Sequence, residues 1–190
     1  MDRLFPCLCR LLGGAWLALQ PKLLWAAVLT GKVVGVSDGD TLKVLDEKQR
    51  VHTIRLMGID APEKAQPFGQ RAKQSLSELV YQQQVQVEWH KQDRYGRILG
   101  LVRTRSGTDM CLEQLKRGMA WHYKQYMHEQ SAQDQIAYAL AEEATRAGRL
   151  GLWQDSAPTP PWQWRRQPGH QHSTGKRSPR LDHTNREWQK

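Results

Sequence analysis

Cysteine and long apolar runs are scarce in this sequence. Only three of its 190 residues are cysteine, and two of them, Cys7 and Cys9, lie within the first ten positions. Cys111 stands alone in the body of the chain, so a disulfide framework is excluded. The apolar runs at 11–19 and 23–29 are both shorter than the roughly 18 residues that a membrane-crossing helix needs. The sequence therefore lacks both a disulfide-stapled scaffold and an uninterrupted transmembrane segment.

The N-terminal segment has the pattern of a secretory leader. A basic start with Arg3 and Arg10 precedes apolar residues that are interrupted at 20–22, and the small pair Ala26-Ala27 follows. This order predicts a signal peptide over residues 1–27. A retained membrane anchor and a hydrophobic strand of the domain are the alternatives. A cleaved leader predicts a periplasmic or secreted protein that associates with the membrane only transiently. A leader that is not removed predicts a membrane-anchored protein.

Basic residues outnumber acidic ones, and the surplus is uneven. Lysine and arginine total 28 against 19 aspartates and glutamates, giving a net charge of +9 and a pI near 9.7. This balance favours a polyanionic partner such as nucleic acid, or an anionic membrane surface. Residues 155–190 hold seven basic and three acidic side chains among many prolines, glycines and serines. This composition predicts a basic, disordered tail, with 28–154 as the folded domain.

Short β-rich segments and three helical segments alternate within that domain. Runs such as "DTLKVLD" and "VQVEWH" alternate apolar with polar residues, which is typical of antiparallel strands. Apolar residues at helical spacing predict helices over 68–81, 110–117 and 131–147. The order of three strands, a helix, two strands and two helices predicts a small β-barrel with packed helices, in the α+β class.

The third predicted helix has clear signals at both ends. Ser131 and Asp134 have the spacing of a capping box, and Gly148 can end the helix. Its apolar residues fall on one helical face, namely Ile136, Leu140, Ala144 and Ala147.

Acidic residues and arginines cluster at three strand ends. In "GVSDGDTLKV", the tripeptide Asp38-Gly39-Asp40 is by itself typical of a tight turn, in which glycine supplies a positive φ. In "IRLMGIDAPE", a strand bearing Arg55 ends in the acidic segment 60–63. In "DRYGRILG", a Tyr95-Gly96 turn leads Arg97 into the fifth strand. Taken singly, each cluster is also explained by turn formation, surface ion pairs or a solvated loop.

Together these residues meet the chemical needs of phosphodiester hydrolysis. Asp40, Asp60 and a backbone carbonyl would suit a hard divalent cation, Ca²⁺ or Mg²⁺. Arg55 and Arg97 would hold phosphate oxygens, since the guanidinium group is planar and always charged. Glu63 is then the candidate for activating or positioning the attacking water.

The motifs resemble those of the staphylococcal nuclease family, also called micrococcal nuclease or thermonuclease. The strings "DGDTLKV", "IRLMGIDAPE", "DRYGRILG", "EQLKRGMAWHYKQY" and "RAGRLGLW" occur in the family's order and cover about residues 29–153. The resemblance implies a five-stranded OB-fold barrel with three helices. It also implies a Ca²⁺-dependent endonuclease that acts on DNA and RNA and leaves 3′-phosphate ends.

The resemblance further implies roles for individual residues. Asp40 and Asp60 would bind Ca²⁺ through their side chains, and Ala61, where the family often has threonine, would bind it through its carbonyl. Glu63 would act on the water, while Arg55 and Arg97 would hold the scissile phosphate. Four further residues would contact the substrate: Arg94, Tyr95, Tyr123 and Tyr126. The segment "AWHYKQY" is about one residue shorter than the family pattern.

Two hypotheses of different classes follow, and a third, a membrane-tethered structural protein that uses the basic tail as an interaction arm, rests only on the leader and the tail. The leading one is an exported, monomeric nuclease without an obligate protein partner. The alternative is a non-catalytic OB-fold module that binds nucleic acid, and the presence of the full set of acids and arginines argues against it. For Trp121 and Trp153 we expect core packing.

Overall fold

Alternating apolar residues form five strands of a barrel. The structure, a computed structural model, describes residues 27–167. The barrel strands are β1 (Ala27–Asp38), β2 (Thr41–Asp46), β3 (Val51–Leu56), β5 (Gln84–Gln92) and β6 (Ile98–Thr104). Two short strands, β4 (Ile59–Asp60) and β7 (Trp121–His122), pair with each other outside the barrel. The inward residues Val33, Leu42 and Ile54 are fully buried.

The sheet closes in the order β1-β2-β3-β6-β5. All neighbours are antiparallel except β3 and β6, which run parallel. A closed barrel leaves no exposed sheet edge and surrounds a single core. The predicted α+β class and five-stranded OB-fold barrel are therefore confirmed.

The three predicted helices are present at nearly the predicted bounds. They are α1 (Gly69–Val80), α2 (Met110–Lys116) and α3 (Ala132–Ala147), and a short α4 (Pro161–Trp164) follows. Two 3₁₀ segments lie at Lys124–Glu129 and Gly151–Gln154. The apolar residues at helical spacing in α1 pack into the core, since Ala72, Leu76 and Val80 are fully buried. Within residues 27–167, none of the helices is both long and apolar enough to cross a bilayer.

Helix α3 begins as predicted but buries a different face. The Ser131 hydroxyl accepts a hydrogen bond from the Asp134 amide at 3.1 Å, which caps the helix. The apolar residues Ile136 and Leu140 are 63% and 59% exposed, whereas Tyr138 faces the core. The inward face carries the buried residues Tyr138, Glu142 and Thr145, and the Tyr138 hydroxyl donates to Asp109 at 2.8 Å.

Residues 155–167 also differ from their sequence-based description. The sequence assigns them to a disordered tail, but in the structure they pack against the domain. Pro161 is buried, and Trp162 contacts a small core cluster that contains Trp121 and Trp153. The ring centroids of Trp121 and Trp153 lie 5.3 Å apart, so the expected core packing of these two residues is present. We call residues 155–167 the C-terminal strap; residues 1–26 and 168–190, including nearly all of the predicted leader, lie outside the described residues.

Replacing Asp109 with alanine is expected to lower the free energy of unfolding by about 3 kcal/mol. The carboxylate caps α2 by accepting from the amides of Cys111 and Leu112, and it also accepts from the buried Tyr138 hydroxyl. Loss of a cap contributes about 1 kcal/mol and an unpaired buried hydroxyl about 2 kcal/mol. Urea denaturation measures the change. Ser131→Ala, which removes only an exposed cap, should lower stability by about 1 kcal/mol, and an equal effect of the two variants would contradict the role of Tyr138.

Candidate active site

One cleft at the end of the barrel contains every residue that the sequence assigned to the site. Its volume is about 1120 Å³. The β1–β2 turn, the end of β3 and the β5–β6 turn meet there. The ten predicted residues line it: Asp40, Arg55, Asp60, Ala61, Glu63, Arg94, Tyr95, Arg97, Tyr123 and Tyr126. A second concavity of about 560 Å³ lies at the opposite end of the barrel, near Asp46 and Arg105, and contains none of them.

The two aspartates of the Asp38-Gly39-Asp40 turn have different roles, and its glycine is required for a reason that the sequence did not suggest. The Asp40 amide donates to the Asp38 carboxylate at 3.3 Å, so Asp38 shapes the turn. Gly39 does not have a positive φ, which makes that part of the sequence interpretation wrong. A Cβ on Gly39 would instead lie 2.6 Å from the Ala72 Cβ and 2.7 Å from the Ala61 Cβ. The glycine lets α1 and the Ala61 loop approach the turn closely.

A buried glutamine fixes this turn to the helices. The Gln114 side-chain amide donates to the carbonyls of Gly39 at 2.8 Å and Ala72 at 3.0 Å. Its carbonyl oxygen accepts from the Ser75 hydroxyl at 2.7 Å. Gln114 is fully buried and escaped the sequence reasoning, although a lone glutamine among the apolar residues of "MCLEQLK" is a weak signal of such a role. It positions the turn that carries Asp40.

Arg55 joins the two aspartates of the predicted metal site. It lies opposite Thr41 in the β2–β3 ladder, beside Asp40. Its guanidinium pairs with Asp40 Oδ2 at 2.7 Å and with Asp60 Oδ1 at 2.8 Å. The side chain is only 13% exposed. The Ala61 amide also donates to Asp40 Oδ2 at 2.8 Å, so that residues distant in sequence converge on one carboxylate.

Burial makes these carboxylates costly to ionise. Burial raises the pKa of Asp40 to about 6, although the Arg55 charge opposes the rise. Burial likewise raises the pKa of Asp60, against the opposing effect of Arg55. Burial alone would lower the pKa of Arg55, but Asp40 and Asp60 raise it. Additional positive charge beside the aspartates would therefore be stabilising.

The donor atoms fit a hard divalent cation. Asp40 and Asp60 present carboxylate oxygens in one cleft, and Ala61, which also lines it, offers a backbone carbonyl. Across residues 27–167, no group of three or more histidine, cysteine, aspartate or glutamate side chains is arranged to hold a metal. A cation here would consequently complete its shell with backbone and water oxygens, which is common for Ca²⁺ and Mg²⁺.

Glu63 is held by the loop that precedes α1. Its amide donates to the Gln66 side chain at 3.1 Å, and its carbonyl accepts from the Gln66 amide at 2.8 Å. Gly69 begins the helix directly against this loop, where a Cβ would lie 2.0 Å from the Glu63 carbonyl oxygen. The half-buried Glu63 carboxylate lines the same cleft as Asp60.

Arg97 follows a turn built as the sequence predicts. Gly96 has a φ of 75°, and the Asp93 carboxylate accepts from the amides of Tyr95 at 2.8 Å and Arg97 at 3.0 Å. Asp93 also pairs with Arg97 Nε at 2.7 Å. The guanidinium groups of Arg94 and Arg97 lie 4.9 and 5.5 Å from the centre of the exposed Tyr95 ring. The turn thus offers two cations and an aromatic ring at the edge of the cleft.

Aromatic rings form the facing wall. The Tyr123 amide donates to the Gly58 carbonyl at 2.8 Å, which brings its ring near Asp60. The ring centroids of Tyr123 and Tyr126 are 5.3 Å apart. Trp162 of the C-terminal strap stacks on Tyr123, with centroids 5.7 Å apart and planes inclined by 26°.

Arg165, which the sequence reasoning missed, lies among the acids. Its Nη2 pairs with Asp60 Oδ2 at 2.8 Å, and its Nη1 pairs with Glu63 Oε1 at 2.7 Å. Nothing in "WQWRRQ" distinguishes it from the neighbouring Arg166 or from the other basic residues beyond residue 154. Its place is set by the packing of Trp162 and Pro161, which precede it.

A closed OB-type barrel with carboxylates, arginines and tyrosines in one cleft defines a candidate enzyme of the phosphodiester-hydrolysing class. Residues 53–155 match the family model described as "Staphylococcal nuclease homologue". The chain therefore belongs to the staphylococcal nuclease family, as its motifs indicate.

Three similar proteins are bacterial. An "Uncharacterized endonuclease" of Haemophilus influenzae is 47% identical over 138 residues, which cover 73% of this chain and 74% of that protein. "Protein ParB" of Escherichia coli is 39% identical over 80% of this chain and 86% of its own length. The "Micrococcal nuclease" of Shigella flexneri is 42% identical over 72% of this chain and 80% of its own length. The similarity thus extends over most of each chain.

Proposed function

We propose that this protein is a Ca²⁺-dependent endonuclease that hydrolyses DNA and RNA with little sequence specificity and leaves 3′-phosphate ends. The observation that carries the proposal is the convergence of Asp40, Asp60, Glu63 and Arg97 on one cleft. Family membership and the names of two of the relatives, an endonuclease and a micrococcal nuclease, support hydrolysis of nucleic acid.

Asp40 and Asp60, with the Ala61 carbonyl, would hold the cation. When bound, Ca²⁺ would offset charge on the phosphate and lower the barrier to attack. Arg55 keeps the two carboxylates aligned through its paired hydrogen bonds, and Gln114 holds the turn before Asp40. Burial keeps these groups from rearranging, so that the site is organised before substrate arrives.

Glu63 and Arg97 would act on the reacting groups. Glu63 accepts a proton from the attacking water, whose oxygen forms the new bond to phosphorus. The bond from phosphorus to the 5′-oxygen breaks, and that oxygen takes up a proton. Arg97, whose side chain is about one-third exposed, donates to the phosphate oxygens as negative charge builds up. Arg55 contributes positive charge from the floor of the cleft.

The remaining cleft residues favour flexible, single-stranded substrate. Tyr95, Tyr123 and Tyr126 offer aromatic faces on which unpaired bases can stack without regard to sequence. Arg94 adds charge at the edge of the cleft, where its guanidinium already lies over the Tyr95 ring. The net charge of +9 favours attraction to the phosphate backbone that weakens with added salt.

We also propose that the protein works as a monomer outside the cytoplasm. The leader pattern of residues 1–27 supports export, and the sequence presents no obligate partner surface. Sequencing the N-terminus of the exported form tests this, since a start near residue 27 is expected and a start at Met1 contradicts cleavage.

Removal of Ca²⁺ is expected to stop cleavage. Purified protein is incubated with matched single-stranded and duplex DNA and RNA oligonucleotides in Ca²⁺, in Mg²⁺ and in excess chelator, and the product ends are analysed. We expect cleavage of both sugars in Ca²⁺, faster for single strands, with 3′-phosphate and 5′-hydroxyl ends. Equal rates with chelator would contradict the proposal, and no cleavage under any condition would favour a binding module.

A further inference from the structure

The C-terminal strap reaches the cleft and places the Arg165 guanidinium beside its acids. Helix α4 begins at the buried Pro161, and Trp162 packs against Trp121 on one side and Tyr123 on the other. The Gln66 side chain donates to the Thr159 carbonyl and fastens the strap near Glu63. These contacts precede Arg165 in the chain and direct its side chain into the site.

Arg165 forms a bidentate pair with Asp60 and a further hydrogen bond to Glu63. Its guanidinium donates from Nη2 to Asp60 Oδ2 at 2.8 Å and from Nη1 to Asp60 Oδ1 at 3.2 Å. The same Nη1 donates to Glu63 Oε1 at 2.7 Å. Asp60 is only 1% exposed, so water cannot readily replace Arg165 as its hydrogen-bond partner. The contact is consequently a strong one.

Both oxygens of Asp60 are engaged by arginine. Oδ1 accepts from Arg55 and Arg165, while Oδ2 accepts from Arg165. A divalent cation on Asp60 needs a lone pair on one of these oxygens. Arg55 can keep its bond to Oδ1 while the cation takes Oδ2, but Arg165 then loses its better bond to Asp60 and meets a like charge.

We propose that Arg165 is an internal counter-ion that competes with the divalent cation for Asp60 and Glu63, and that loading the site releases the C-terminal strap. The inference rests on the proposed function. The inference extends that function, because the strap would keep the site inactive in the absence of cation and would free Glu63 only when cation is bound. Release also uncovers the face of the Tyr123 ring that Trp162 covers.

The competing assignment is a third phosphate-binding arginine. In that case Arg165 would remain in the cleft when cation binds and would hold the substrate. Its two bonds to a buried aspartate argue against this, because a substrate-binding arginine is more useful with its donors directed to open solvent. Competition predicts that removing Arg165 changes Ca²⁺ affinity and that Ca²⁺ changes strap mobility, whereas a phosphate-binding role predicts neither change.

Calcium affinity of the full-length protein tests the proposal. In isothermal titration at pH 7.5, Arg165→Ala is expected to bind Ca²⁺ about tenfold more tightly than wild type, because the fraction of protein competent to bind rises when the competitor is removed. Arg165→Lys keeps the charge but loses the bidentate guanidinium, so its Ca²⁺ affinity should lie between those of wild type and Arg165→Ala. Arg166→Ala removes a neighbouring exposed charge that lines the same cleft and should stay within about twofold of wild type.

Hydrogen exchange provides a readout that affinity alone does not. In the wild type, amides of α4 and residue 165 should exchange faster when Ca²⁺ is added, since the strap is released. In Arg165→Ala, exchange there should already be fast and should not change with Ca²⁺. Unchanged affinity in Arg165→Ala with unchanged strap exchange in the wild type would overturn the proposal, and so would equal gains in Arg165→Ala and Arg166→Ala.

Failure of the proposed function has a different appearance. If neither wild type nor Arg165→Ala binds Ca²⁺, the calcium-dependent mechanism and the competition both fall. If wild type binds Ca²⁺ and cleaves in a Ca²⁺-dependent manner while Arg165→Ala has the same Ca²⁺ affinity, only the competition falls. Tighter binding in Arg165→Ala but not in Arg166→Ala supports both. A melting curve of each variant in chelator shows that it is folded before titration.

Discussion

Replacing Arg97 with alanine, or Glu63 with glutamine, is expected to lower kcat about a hundredfold or more while the melting temperature stays within about 2 °C of wild type. Arg97 is partly exposed and pairs with Asp93, on the same turn. Removing it breaks no buried pair. Glu63 is also partly exposed, and glutamine retains its shape while losing the ability to accept a proton. Both effects should therefore fall on the reaction and not on the fold.

Matched controls lie on the outside of the barrel. Arg103 and Glu88 pair with each other across β5 and β6 at 3.4 Å, away from the cleft. Arg103→Ala and Glu88→Gln make the same chemical changes as Arg97→Ala and Glu63→Gln, and they should leave kcat within about twofold. The assay follows initial rates on a single-stranded oligonucleotide at saturating Ca²⁺. Wild-type rates in either cleft variant would remove that residue from the mechanism.

The strands, helices and turns were predictable because short-range patterns encode them. Period-two alternation set the barrel strands, and the Ser131 cap set the start of α3. The Asp93 turn before Arg97 was visible for the same reason, because a glycine with positive φ and an aspartate that accepts neighbouring amides are local features. Motif resemblance then brought residues from distant segments to one site, which local patterns alone do not do.

The residues that escaped prediction act through distant partners. Gln114 meets Gly39 across 75 positions of sequence, and Arg165 meets Asp60 across 105. Gln114 has only a weak local signal and Arg165 has none, because the neighbours of a residue in sequence do not reveal a partner that lies far away along the chain. The prediction of the buried face of α3 was wrong for a related reason. Its apolar pattern favoured Ile136 and Leu140, but the inward side carries Tyr138, which bonds to Asp109, 29 positions away in sequence.

Replacing Arg55 with alanine is expected to remove activity and also to lower the free energy of unfolding by about 3–5 kcal/mol. This arginine is almost fully buried and pairs with two carboxylates, and removing one partner of a buried ion pair leaves uncompensated charge. Urea denaturation in chelator at pH 7.5 measures the loss. Arg97→Ala serves as the matched control, because it removes the same side chain from the same cleft at a partly exposed position.

The pH dependence of the Arg55→Ala defect distinguishes lost charge pairing from lost packing. Burial already raises the pKa of Asp40 to about 6, and the Arg55 charge is what opposes that rise. Without Arg55 the pKa moves higher still. A carboxyl whose pKa is raised in the folded state favours folding below its unfolded value of 3.8, and that contribution is lost as pH rises through the folded value. The variant should therefore recover stability relative to wild type as the pH falls from 7.5 to 5. A defect of constant size across this range would show that Arg55 stabilises the barrel by packing, and the carboxylates of Asp40 and Asp60 would then not be the reason that an arginine occupies this position.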